Sequence, residues 1–243
     1  MSTSGVPVAG TAKAELLAHV LGEAVIGVVR EDDAGDALAV ALACRQGGLR
    51  TLEITFTTPR AVELIERLAG DGGGVVAAGT LRSVADAESA RVAGAGILVS
   101  PHTDERIVRY AAAHDLLMVA GAATPTEIVR AREAGADIVK VYPAPQLGGP
   151  GYIRTVRQPI RDVPMLAGGP LELEDVAAYL DAGAVAVNLG GSLAPPEVVA
   201  GRRWDEVGAR ARRACEIVAA WRAARAALAD GAHGSAPEGR TGG

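Results

Sequence analysis

The sequence has very little lysine. Only two of its 24 basic residues, Lys13 and Lys140, are lysines, and the rest are arginines. Arginine stays protonated in practice, whereas a lysine removed from water can lose its proton and act as a nucleophilic amine. Lys140 lies in the apolar run ADIVKVYP, residues 136–143, where a charge is costly. This placement favours a lysine that forms a Schiff base; the alternative is a lysine at a strand end with a buried stem and a solvated ammonium group.

Aromatic residues and cysteines are also scarce. One Phe, two Trp and four Tyr in 243 residues mean that the core is built from Ala, Val and Leu. Cys44 and Cys215 have no neighbouring cysteine at metal or redox spacing, so we interpret both as packing residues in a reducing cytosol. The four histidines lack HxH or HExxH spacing. We therefore predict no metal and no cofactor.

The sequence also shows no membrane span, no signal peptide and no basic stripe. No apolar run approaches the roughly 18 residues that a membrane span needs. The first residues lack the basic and apolar regions of a signal peptide. The net charge is −5 and no basic stripe is present, which argues against nucleic-acid binding. We expect a cytoplasmic protein that acts on a small molecule.

The chain alternates short Val/Ile-rich runs with longer Ala-rich amphipathic runs, a pattern that predicts βα units around a parallel sheet. Eight strands are predicted at residues 24–30, 51–56, 75–79, 96–100, 117–120, 138–141, 164–167 and 184–189. Helices are predicted between them at residues 35–45, 61–69, 84–92, 104–114, 125–134, 152–160 and 173–182, with a final helix at 204–228.

Eight such units predict an α/β fold, the closed (β/α)8 TIM barrel. A doubly wound sheet is the alternative, but it usually has fewer strands and a phosphate fingerprint after its first strand, which is missing here. An extra N-terminal helix at residues 12–22 precedes the barrel and is placed to cover its N-terminal end. We predict a flexible N-terminus at 1–11, one barrel domain at 12–229 and a disordered Gly/Ser/Pro-rich tail at 230–243.

Candidate site residues stand where a barrel carries its chemistry, at the C-terminal ends of the strands. Strand 1 ends at Arg30, strand 3 runs into Gly79 and Thr80, and strands 2 and 6 carry Glu53 and Lys140. Side-chain alternation points Glu53 and Lys140 into the barrel, and even-numbered strands share its layers. The pair is either a buried ion pair or a functional pair; we favour function, because desolvation often offsets the attraction of such a pair.

Two glycine-rich turns follow strands 7 and 8, where barrels often bind phosphate. Glycine lets backbone N–H groups approach phosphate oxygens closely. Ordinary tight turns are the alternative, because turns need glycine anyway. The candidate phosphate-binding residues are Gly168, Gly169, Gly190, Gly191 and Ser192.

With these residues in place, the sequence resembles a known family, the 2-keto-3-deoxy-6-phosphogluconate / 4-hydroxy-2-oxoglutarate aldolases. The resemblance covers residues 12–225 and rests on motifs that recur in order. They are GLRTLEITF (48–56), AGT (78–80), SPH (100–102), TPTE (124–127), VKVYPA (139–144), GG (168–169) and GGS (190–192).

The resemblance implies a metal-free class I aldolase, usually a homotrimer of barrels. It implies that Lys140 forms the Schiff base with the C2 ketone and that Glu53 moves protons, through a water. Thr80 and the backbone at Gly79 would hold the pyruvyl carboxylate, and the glycine turns with Ser192 would hold the distal phosphate.

Two positions depart from the family pattern. Many members carry an arginine where this chain has Thr57, but a subset places one at the end of strand 1, as Arg30 does. We expect Arg30 to reach the same carboxylate. Ala167 stands where the phosphogluconate enzymes typically have Thr, so we expect Ala167 to affect discrimination between gluconate-type and galactonate-type substrates.

The expected reaction is the cleavage of a 2-keto-3-deoxy-6-phospho-sugar acid of gluconate or galactonate type, or of 4-hydroxy-2-oxoglutarate, to pyruvate and an aldehyde. Two alternatives keep the fold. One is a phosphosugar isomerase or synthase that uses Glu53 as a base without an imine, and the other is a phosphosugar-binding regulatory barrel.

Overall fold

Eight short apolar segments form parallel strands that pair in chain order, and β8 closes the sheet onto β1. The computed structural model describes residues 12–233 of the protein, with side chains to residue 229. The predicted (β/α)8 barrel is confirmed. The strands are β1 (Val25–Val29), β2 (Thr51–Thr55), β3 (Val75–Gly79), β4 (Ile97–Val99), β5 (Leu117–Ala122), β6 (Ile138–Val141), β7 (Met165–Ala167) and β8 (Ala186–Leu189).

Helices follow the strands and form the outer layer. Within the described residues they are α1 (Lys13–Glu23), α2 (Ala34–Gln46), α3 (Ala61–Gly70), α4 (Val84–Val92), α5 (Glu105–Ala113), α6 (Pro125–Glu133), α7 (Gly149–Val156), α8 (Val176–Asp181), α9 (Pro196–Ala200) and α10 (Trp204–His233).

Local sequence signals explain where many of these helices start and stop. Ser83 and Thr124 begin α4 and α6 with reciprocal capping boxes, which satisfy free N–H groups of the first turn. Glycines also mark several helix ends. Gly94, Gly135 and Gly183 follow helix ends with φ between 95° and 108°, a conformation that glycine adopts without a steric cost.

Three helical segments differ from the prediction. Helix α7 begins three residues earlier than expected, because Pro150 suits a first turn, and it ends before Pro159, which cannot continue a helix. The segment predicted at 173–182 starts as a 3-10 turn, Leu173–Asp175. The short helix α9, which begins at Pro196, was not predicted.

Helix α10 is longer than predicted. It continues to His233, since the Ala-rich sequence extends its helical run, and it overlaps the first four residues of the predicted tail. Residues 1–11 and 234–243 lie outside the described part of the chain. None of the described helices is long and apolar enough to cross a membrane.

Alternation along each strand divides the core into two parts. One set of side chains, including Ile54, Val139 and Val187, packs against the helices. The other set fills the interior of the barrel and includes Ile26, Ile97 and Leu166. The N-terminal half of the interior is therefore mainly apolar, with Thr51 at the start of β2 as a buried polar residue there.

Helix α1 closes the N-terminal end of the barrel, as predicted. Leu16 and Val20 belong to the same cluster as the interior side chains. Glu23, at the end of the helix, accepts hydrogen bonds from the backbone N–H of Arg50 at 2.5 Å and from Thr51 Oγ1 at 2.6 Å. These bonds tie the helix to the start of β2, the strand that carries Glu53.

Removing the Glu23 carboxylate should loosen this closure. In Glu23→Ala, the Arg50 N–H and the Thr51 hydroxyl lose their acceptor, which should cost about 1–3 kcal/mol of unfolding free energy. Urea denaturation would measure the loss. Glu15→Ala on the exposed face of the same helix is the control and should change the unfolding free energy by less than about 0.5 kcal/mol. Equal stabilities of the two variants would contradict the prediction.

Candidate active site

The structure brings Glu53 and Lys140 together inside the C-terminal half of the barrel. Lys140 Nζ lies 3.7 Å from Glu53 Oε2. The glutamate is fully buried and the lysine is 8% exposed. Lys140 borders an open cleft of about 680 Å³. A buried carboxylate thus stands beside an amine that a small molecule can reach, an arrangement suited to covalent and proton-transfer chemistry.

A third polar side chain completes this group, and the sequence interpretation missed it. Asn188 Nδ2 donates to Glu53 Oε2 at 2.7 Å, and Asn188 also lines the cleft. Its neighbours in β8 are all apolar. One sequence feature could have identified Asn188: it is a single amide in an apolar strand, two residues before a diglycine.

Two positions of the site have to be glycine, because the reactive side chains fill the space that a Cβ atom there would need. A Cβ atom at Gly79 would overlap the Glu53 carboxylate, and a Cβ atom at Gly168 would lie 2.6 Å from Lys140 Cε. Neither position can carry a side chain unless the acid or the amine moves. Gly79 and Gly168 therefore shape the reactive centre itself, beyond the backbone contacts expected of them.

The residues predicted to bind a carboxylate also converge. Arg30 Nη2 donates to Thr80 Oγ1 at 3.2 Å, which links the ends of β1 and β3. Thr80 has a φ of 60°, unusual for a residue with a branched side chain. Thr57 instead forms a 2.9 Å hydroxyl contact with Thr55. Arg30 and Lys140 line the same cleft, so both cations face one ligand volume.

The glycine turns after β7 and β8 also border the cleft. Gly169, Gly190 and Gly191 line it. Among the described residues, the backbone N–H groups of Gly169, Gly191 and Ser192 donate to no protein acceptor. Ser192 is buried, and its Oγ has no hydrogen-bond partner within the same residues. Free N–H groups and an unpaired hydroxyl are suited to an anion.

An acidic rim also lines the cleft. We use the name for Glu31, Asp32, Asp33 and Asp36, which line the cleft from the loop after β1 and the start of α2. Burial, followed by repulsion from Asp36 and Asp32, raises the pKa of Glu31 to about 7. Asp36 also lies 3.8 Å from Arg202 Nε. The wall of the cleft thus combines basic side chains with a group of carboxyl groups.

Ala167 packs toward the helices, unlike Glu53 and Lys140, which face the interior of the barrel. It is fully buried in the core that packs against the helices, and it pairs with Val141 and Val187. Its neighbour Gly168 is the residue against which the Lys140 side chain packs. Any influence of Ala167 on a ligand has to pass through the backbone of that neighbour.

No group of three or more His, Cys, Asp or Glu side chains is arranged to hold a metal ion anywhere in residues 12–229. The acidic rim is therefore not a metal site by this geometry, and the polar groups at the centre of the barrel comprise an amine, a carboxylate and an amide.

Comparison with known proteins agrees with this arrangement. The family model for KDPG and KHG aldolase matches residues 18–210. The chain is 33% identical over 195 residues to a 2-dehydro-3-deoxy-phosphogluconate aldolase of Treponema pallidum, covering 80% of this chain and 93% of the relative. It is 27% identical to a 2-dehydro-3-deoxy-6-phosphogalactonate aldolase of Escherichia coli, covering 82% and 95%.

A solved structure gives the same result in three dimensions. The 2-keto-3-deoxy-6-phosphogluconate aldolase of Zymomonas mobilis, crystallised with 3-phosphoglycerate, superposes with a TM-score of 0.72 at 28% identity, covering 82% of this chain and 94% of that one. The match to the family model spans most of the barrel and includes both Glu53 and Lys140. This chain belongs to the KDPG and KHG aldolase family and is an aldolase.

Proposed function

We propose that this protein is a class I aldolase that cleaves a 2-keto-3-deoxy sugar acid to pyruvate and an aldehyde through a Schiff base on Lys140. The observation that carries the proposal is the Lys140 amine, 3.7 Å from the buried Glu53 carboxylate at the wall of a ligand-sized cleft. Apolar strands surround the amine, and the only other lysine, Lys13, lies at the opposite end of the barrel, 2.9 Å from Asp137.

The chemistry follows from these two groups. The Lys140 amine attacks the C2 ketone, and loss of water leaves a protonated imine. Cleavage of the C3–C4 bond sends its electron pair into the imine, while the proton of the C4 hydroxyl passes to Glu53, through a water. Protonation of the resulting enamine at C3 and hydrolysis of the imine release pyruvate and restore the amine.

The pyruvyl carboxylate is assigned to Arg30 and Thr80. The Arg30 guanidinium presents several N–H donors in a plane, which suits a carboxylate, and Thr80 adds a hydroxyl at hydrogen-bonding distance from Arg30. The backbone at Gly79 adjoins both Thr80 and Glu53. Binding the acid group here directs the C2 ketone toward Lys140.

A distal phosphate is assigned to the glycine turns at Gly168, Gly169, Gly190, Gly191 and Ser192. The free N–H groups of Gly169, Gly191 and Ser192 support this assignment, and the Zymomonas relative was crystallised with a phosphorylated three-carbon acid. Backbone dipoles would supply much of the attraction there.

The choice between gluconate-type and galactonate-type substrates remains a prediction, because the chain resembles aldolases of both kinds. Ala167 would act on that choice only by adjusting Gly168. The homotrimer and the cytoplasmic location also remain predictions.

The first test concerns the Schiff base. Lys140→Arg should abolish cleavage although the charge is kept, because a guanidinium does not form the imine. Lys13→Arg is the matched control and should retain activity, since Lys13 pairs with Asp137 away from the cleft. Borohydride reduction with pyruvate, followed by peptide mapping, should find the adduct at Lys140. Active enzyme without any adduct would favour the isomerase or synthase alternative.

A second test concerns the carboxylate. Arg30→Ala should weaken pyruvate binding by about 1.5–3 kcal/mol, roughly a 10- to 150-fold rise in KM, through loss of charge-assisted hydrogen bonds. The double variant Arg30→Ala, Thr57→Arg should recover part of this loss, because Thr57 follows the neighbouring strand. Steady-state kinetics would measure both variants. A normal KM in Arg30→Ala would refute the assignment.

The acidic rim leads to a pH prediction. Glu31, with a pKa of about 7, is ionised above pH 7 and neutral below it, so it repels a phosphorylated substrate only at the higher pH. Glu31→Gln should therefore lower the KM for that substrate at pH 8, and the difference from the wild type should shrink as the pH falls through 7 to 5. KM measured at three pH values tests this. A difference that is constant or grows toward pH 5 would exclude the rim from the phosphate end.

A further inference from the structure

Asn188 is a buried amide in a strand that has no structural need for one. It is 3% exposed, and β8 otherwise consists of Ala186, Val187 and Leu189. Its Nδ2 group donates to Glu53 Oε2 at 2.7 Å. This bond spans the interior of the barrel and joins residues 135 positions apart in the chain. Burying an amide costs free energy unless both of its ends are paired.

The orientation of this amide follows from its partner. An ionised carboxylate only accepts hydrogen bonds, so the NH2 end of Asn188 must face Glu53 and its oxygen must face elsewhere. Asn188 Oδ1 is buried and has no hydrogen-bond partner among the described residues. A side chain that served stability alone would leave no such acceptor unpaired, and an apolar residue of similar size would serve better. The single bond to Glu53 is therefore what this residue contributes.

The two oxygens of Glu53 are made unequal by their surroundings. Oε2 receives the Asn188 amide at 2.7 Å and faces Lys140 Nζ at 3.7 Å. Oε1 is buried, has no partner within the described chain, and lies against Gly79, where a Cβ atom would overlap it. One oxygen is thus held by the Asn188 amide, and the other is left without a partner and free to take a proton.

We propose that Asn188 is a positioning residue, whose amide fixes Glu53 Oε2 so that Oε1 is the oxygen that exchanges protons with the substrate. The inference rests on the proposed Schiff-base function. In the imine of pyruvate, Oε1 removes a C3 proton, directly or through a water. The C–H electron pair becomes the C2–C3 double bond, and the C=N π pair moves to nitrogen. The reverse step returns a solvent proton to C3 and conserves all atoms and electrons.

Exchange of the pyruvate methyl protons in D2O isolates this step, because it needs no aldehyde and no cleavage. In Asn188→Ala the exchange kcat should fall at least about tenfold, because the general base is no longer held in place. KM for pyruvate should stay within about threefold, since Arg30 and Thr80 are untouched. Proton NMR measures both constants. Unchanged exchange in folded Asn188→Ala would overturn the proposal.

Asn188→Asp separates positioning from packing. It keeps the shape of the side chain but presents a second carboxylate to Glu53 in place of a donor. The exchange kcat should fall at least as far as in the alanine variant. If the aspartate variant exchanges at the wild-type rate, the residue only fills space and the proposal fails, even where the alanine variant does not fold.

A double variant tests whether Asn188 acts through Glu53. In a Glu53→Gln background, adding Asn188→Ala should cause no further loss of exchange. If Asn188 acts only through the Glu53 carboxylate, the effects of the two substitutions are not additive. A double variant whose loss of exchange equals the product of the two single losses would contradict the proposal. Thr51→Val is the matched control: it removes a buried polar group two residues from Glu53 on β2, and it should leave the exchange rate within about twofold of the wild type.

Borohydride trapping with pyruvate keeps the two proposals apart. Wild-type protein that forms no adduct at Lys140 refutes the proposed Schiff base. An adduct in the wild type and in Asn188→Ala, together with unchanged exchange in the variant, refutes only the role of Asn188. An adduct in both with slow exchange in the variant is the expected result.

Discussion

The rest of this structure depends on one buried carboxylate. Glu53 is fully enclosed, and one of its oxygens faces an amide and an amine from two other strands. Burying a carboxyl group is expensive, and the Asn188 amide and the Lys140 amine beside Oε2 offset part of that cost. The three residues come from β2, β8 and β6, which are even-numbered strands that contribute to common layers of a barrel. These three side chains come together because the sheet closes into a barrel.

Two kinds of neighbouring residue support this contact. Gly79 and Gly168 leave the volume that the carboxylate and the lysine stem occupy. Below them, apolar side chains and helix α1 fill and cover the other half of the barrel. The Lys140 amine is therefore open on the side of the cleft and enclosed by packed side chains below it.

The cleft is lined by groups of both charges. Arg30 and Lys140 share its wall with the acidic rim. A substrate carboxylate would be directed to the basic side chains, since the rim would repel it. The raised pKa of Glu31 follows from the same crowding of carboxyl groups.

The local pattern of the sequence was enough for the order of strands and helices, the barrel, and the inward direction of Glu53 and Lys140, because these depend on alternation and on capping residues such as Ser83 and Thr124. The contact between Asn188 and Glu53, the steric need for Gly79 and Gly168, and the helix-facing position of Ala167 emerged only from the folded chain. Each of them depends on distances between strands that are far apart in the sequence. The periodicity of one segment does not tell which side chains of other segments will contact it.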